Sequence, residues 1–68
     1  MKFYEEQTLE EWSRVLMNKY GEDFRMYSER KETLERWSYH LSNIFGFRFK
    51  IREDEYATMQ EWSRLIGG

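Results

Sequence analysis

Apolar residues recur with helical spacing in three places along this chain. Leu9, Trp12, Leu16 and Tyr20 form one series; Leu34, Trp37, Leu41, Ile44 and Phe45 a second; Met59, Trp62, Leu65 and Ile66 a third. Residues three and four apart share one face of a helix, so each series predicts an amphipathic helix with its tryptophan on the buried stripe. The three series are related. Thr8-Leu9-Glu10-Glu11-Trp12-Ser13-Arg14, Thr33-Leu34-Glu35-Arg36-Trp37-Ser38-Tyr39 and Thr58-Met59-Gln60-Glu61-Trp62-Ser63-Arg64 follow one another at intervals of 25 residues, a constant register that marks an internal repeat.

A different period runs between the helices. Phe47, Phe49 and Ile51 alternate with Arg48, Lys50 and Arg52, the two-residue pattern of a strand with one buried face. The repeat extends the same expectation to Phe24-Arg25-Met26-Tyr27 and, more loosely, to Met1-Lys2-Phe3-Tyr4. The expected fold class is therefore α/β, or small α+β. It is built from three βα-type repeats of 25 residues, with units about 1–21, 22–46 and 47–68 in one domain spanning 1–68. Helices would pack on one face of a small two- or three-stranded sheet, joined by right-handed crossovers. A parallel sheet with one bare face is unusual, so either something covers that face or the strands pair differently, for instance with the second and third antiparallel and the first segment irregular; a two-stranded or nearly all-helical chain is the further alternative.

The punctuation fits the helices. Thr8, Thr33 and Thr58 stand where N-caps are expected, and Thr8-x-x-Glu11 and Thr58-x-x-Glu61 match the capping box, whereas the middle copy has Arg36 in place of the glutamate. Gly21 and Gly46 each follow their threonine by 13 residues, where a left-handed C-cap would end a helix. The third helix runs into Gly67-Gly68.

Composition narrows the class. With 68 residues, 40% hydrophobic and 19% aromatic, the chain is too apolar for a disordered tail and suits one small domain, which buries only about 60% of its unfolded surface. Nearly every large apolar side chain is then needed in the core. No cysteine is present, which excludes disulfides and thiolate zinc sites as supplements to that core. No apolar run approaches the ~18 residues of a membrane span, and the first residues lack the apolar stretch of a signal peptide, so the expected location is the cytoplasm, away from membranes. A net charge of −2 gives the whole molecule no electrostatic attraction to nucleic acid or anionic lipid.

Candidate chemistry is sparse. Three equivalent tryptophans could form a cation cage, but on the apolar stripe of a helix they read as core. The serine after each tryptophan reads as a small residue that allows close helix approach. His40, the sole histidine, has no orienting or nucleophilic neighbour in sequence. Glu22-Asp23 and Glu53-Asp54-Glu55 match neither an EF-hand loop nor a histidine-containing ligand set, and no glycine-rich phosphate loop occurs. The expectation is a protein that is not an enzyme, with no catalytic residue, no metal site and no cofactor.

Two binding surfaces remain. Glu5, Glu6, Glu29, Glu32, Glu53, Asp54 and Glu55 lie in connectors and helix starts that the repeat would gather at one end, forming an acidic edge for another protein; this predicts an inhibitor- or adaptor-type binding module with a charge-segregated surface. The alternative is a nucleic-acid-binding module whose strand face presents Lys2, Tyr4, Arg25, Tyr27, Arg48, Lys50 and Arg52 to phosphates and bases. Exposed sheet edges would also leave the chain open to homo-oligomer formation.

Overall fold

The computed structural model describes residues 8–67. Among them are three α-helices: α1 (Leu9–Tyr20), α2 (Arg30–Phe45) and α3 (Glu55–Gly67), with a short 3-10 turn at Glu22–Phe24 between the first two. No strand occurs among the described residues. The βα repeat and its sheet are therefore replaced by an all-helical repeat, the alternative that the bare sheet face had left open.

The helices form where the apolar series place them. Trp12, Trp37 and Trp62 are at most 1% exposed and sit in one core with Leu9, Leu16, Leu34, Leu41, Met59, Phe24 and Phe49. The expectation of three core tryptophans holds. Two of the stripe positions in α2, Ile44 and Phe45, lie in its last turn and remain exposed, as does Leu65 in α3, although the Phe45 ring still packs at the edge of the core against Phe49 and Tyr20.

The segments read as strands are irregular connectors, and the reason lies in their hydrogen bonds. Phe24 ends the 3-10 turn; its carbonyl accepts from Ser13 Oγ of α1 at 2.8 Å, and the Tyr27 N–H donates to Thr33 Oγ1 of α2 at 3.0 Å. The next connector repeats the arrangement. Ser38 Oγ donates to the Phe49 carbonyl, and the Arg52 N–H donates to Thr58 Oγ1 at 2.6 Å. Backbone groups that a strand would pair with another strand are satisfied here by hydroxyls of the flanking helices, so no sheet is required. Burial agrees. Of the alternating Phe47, Phe49 and Ile51, only Phe49 is buried; Phe47 is 87% exposed and Ile51 38%. The third strand candidate, Met1–Tyr4, lies outside the described residues.

The same bonds correct the caps. Thr8 is an N-cap as expected, extended in backbone, with its hydroxyl accepting from the Glu11 N–H at 3.2 Å. Thr33 and Thr58 instead lie inside α2 and α3, fully buried, and each hydroxyl also donates to the carbonyl four residues earlier, Glu29 or Asp54. Those helices begin four residues sooner. Asp54 holds the start of α3, its carboxylate accepting from the Ala57 N–H at 2.6 Å, while Glu29 stands at the equivalent place before α2 with no capping bond from its side chain. The capping box expected of Thr58 and Glu61 is accordingly absent; Glu61 pairs with Arg52 instead.

Gly21 and Gly46 end α1 and α2 as the sequence suggests, at φ of 101° and 108°, a region that side-chain-bearing residues rarely enter. Each glycine N–H closes the helix by donating to the carbonyl of Met17 or Ser42, again 25 residues apart. The repeat does not stack into an elongated solenoid. The radius of gyration is 10.7 Å, close to the roughly 11 Å of a globule of this size.

Candidate functional site

The starts of all three helices border one cleft. Thr8 and Leu9 come from α1, Arg30 is the first residue of α2, Asp54 caps α3, and Glu55, Tyr56 and Met59 come from its first two turns. The cleft has a volume of about 610 Å³, within the range of sites that hold a small ligand or a large side chain. Its floor is apolar. Leu9 and Met59 are buried against the core, and the Tyr56 ring stands 61% exposed at its side.

Its rim is charged. Arg30 reaches from α2 to Glu55 of α3 at 3.5 Å, joining two positions that are themselves 25 residues apart in the repeat. Asp54 and Glu55 add negative charge beside the α3 N-terminus, where the helix dipole stabilises it. The Tyr56 hydroxyl accepts from Gln60 Nε2 at 3.1 Å, which orients the ring along the first turn.

Of the acidic edge read from the sequence, Asp54 and Glu55 line this cleft. Glu29 precedes α2, Glu32 lies in its first turn, Glu53 ends the second connector, and all three are exposed. Glu5 and Glu6 lie outside the described residues. Sequence reasoning missed Leu9, Arg30, Tyr56 and Met59 as parts of one cleft. A signal existed for Arg30 and Glu55, opposite charges at matching places in consecutive units.

Among the described residues there is no strand to align the basic set. Arg25, Arg48 and Lys50 are exposed on the two connectors, Tyr27 lies under the Arg36 guanidinium at 4.8 Å, and Lys2 and Tyr4 are outside the described residues. Arg52 is engaged elsewhere. Its guanidinium grips Glu61 through two donors, Nη2 at 2.6 Å and the Nε contact. That hydrogen bond holds the Glu61 carboxyl below the usual carboxylate range and raises Arg52 above its own.

Among the described residues, no group of three His, Asp or Glu side chains could hold a metal ion, and no helix is long and apolar enough to cross a membrane. Comparison with known proteins gives no match, whether to family models, to curated proteins or to solved structures.

Proposed function

We propose that this chain is a non-enzymatic protein-binding module, of inhibitor or adaptor type, whose contact surface is the acidic-rimmed cleft at the helix starts. The observation that carries the reading is the chemistry of that cleft: a buried apolar floor of Leu9 and Met59, an exposed Tyr56 and carboxylates on Asp54 and Glu55. Such a surface suits an aromatic or aliphatic side chain carried on a basic segment. The apolar floor supplies affinity, and the carboxylates steer the approach.

The nucleic-acid reading has less support. It placed seven residues on one strand face; the five of them that are described, Arg25, Tyr27, Arg48, Lys50 and Arg52, lie on irregular connectors, with Arg52 and Tyr27 already engaged within the chain. Affinity capture from the source cell, with and without nuclease, separates the two. A protein partner that survives nuclease and is lost from a Glu53→Lys, Glu55→Lys variant is the expected result. Partners retained equally by that variant, or lost to nuclease, would count against the cleft.

A further inference from the structure

Among the described residues Phe47 is the most exposed of the large hydrophobic ones, at 87%, and it stands two residues beyond the end of α2. Gly46, at φ 108°, turns the chain out of the helix immediately before it. Ile44 and Phe45 on one side of this turn are also exposed, and Arg48 and Lys50 on the other side carry exposed positive charge. The result is an aromatic knob with a basic flank. No other function in the fold accounts for it, since Phe49 alone fills the place in the core.

The cleft is its complement, apolar at the floor and net negative at the rim, where Asp54 and Glu55 outnumber Arg30, the partner of Glu55. The two cannot meet within one molecule: Arg30 at the cleft and Phe45 beside the knob are the two ends of α2, about 22 Å apart at 1.5 Å per residue. We propose that the chain associates with itself head to tail, Phe47 of one copy entering the cleft of the next while Arg48 and Lys50 face Asp54 and Glu55. This rests on the cleft being a protein-binding surface, and it names the occupant as a second copy.

The contact joins unlike surfaces, so every bound copy still offers a free knob and a free cleft. Such heterologous association extends into chains or closes into a ring. One inserted side chain with a charged flank makes a small interface, so the dissociation constant belongs in the weak range, on the order of 0.1–1 mM. The net charge of only −2 opposes association little.

Sedimentation velocity over rising concentration tests this. The wild-type chain should show a mass that climbs above the 8.6 kDa of one chain and falls back in high salt. Phe47→Ser should stay monomeric, with the helical circular dichroism of the wild type; so should the double variant Glu55→Lys, Tyr56→Ala. Mixing these two variants leaves one intact knob and one intact cleft, and should restore dimers and nothing larger.

A wild-type chain that stays monomeric at about 1 mM, the weak limit of that range, would overturn the proposal, as would a Phe47→Ser variant that associates like the wild type. A synthetic peptide covering Ile44–Lys50, titrated into the isotope-labelled chain, distinguishes the two levels. Shifts at Leu9 and Tyr56 without self-association of the whole chain would overturn the head-to-tail contact and leave the cleft standing. Peptide binding with no shift at those residues would overturn both.

Discussion

At the scale of single residues, the hydroxyls of the repeat are structural rather than chemical. Ser13 and Ser38 hold the carbonyls of Phe24 and Phe49, and Thr33 and Thr58 hold the amides of Tyr27 and Arg52. Each connector is thus fastened to the helix before it and the helix after it. Thr33→Val or Thr58→Val keeps the shape of the side chain but strands an N–H, which costs about 1–3 kcal/mol. Chemical denaturation should register that loss. The terminal members of the repeat have other partners: Thr8 caps its own helix and Ser63 donates to the Met59 carbonyl at 2.7 Å. The indole N–H groups of Trp37 and Trp62 are buried without an acceptor among the described residues, so these tryptophans stabilise the fold through volume and ring contacts. Their partners are Phe24, 6.3 Å from Trp37, and Phe49, 6.2 Å from Trp62. Deleting either phenylalanine ring as Phe24→Ala or Phe49→Ala should cost about 3–5 kcal/mol, enough to unfold so small a domain in a thermal melt.

At the scale of elements, the helix ends carry the differences between units. Asp54 caps α3 and Glu29 does not cap α2. Shortening the side chain by one methylene, as Glu29→Asp, should supply the missing bond and raise stability by about 0.5–1 kcal/mol. Conversely, Gly46→Ala places a Cβ on a backbone at φ 108° and should lower stability by more than about 1 kcal/mol. The Arg52–Glu61 pair ties the second connector to α3 and brings a pH dependence. Because the folded-state carboxyl titrates below its ordinary value, the pair's contribution is complete above the ordinary carboxylate range and fades as pH falls through the lower folded-state value. Glu61→Gln should flatten that acid limb of a stability-against-pH curve while leaving the curve between pH 6 and 8 parallel to the wild type, because the ordinary glutamate value of about 4.3 lies well below that window.

Element by element, legibility followed how local the physics was. The amphipathic stripes, the core tryptophans, the Thr8 cap and the glycine stops at Gly21 and Gly46 depend on neighbours within a turn, and all could be read directly. The strands could not. The alternation at Phe47–Arg52 has the right period, but a strand also needs a partner, and the hydroxyls of Ser38 and Thr58 had already taken that place from across the fold. The same long-range bonds moved Thr33 and Thr58 from caps into helix interiors. Asp54, four residues before Thr58, was the available sign that α3 starts earlier.

At the scale of the whole molecule, a short chain with no disulfide builds its core by repetition. Phe24 fills the seam between α1 and α2, Phe49 the seam between α2 and α3, and each packs on the tryptophan of the following helix. The cleft at the helix starts was only half legible: Asp54 and Glu55 were named from their charge, whereas Leu9, Tyr56 and Met59 join them only once the three helices are packed. Helix hydroxyls, not a sheet, hold the connectors. Amide hydrogen exchange at Tyr27 and Arg52 tests it most directly. Both amides should be protected in the wild-type chain, and Thr33→Val should release Tyr27 while Arg52 stays slow. Rapid exchange at both sites in the wild type, or protection of Tyr27 unchanged by Thr33→Val, would contradict it.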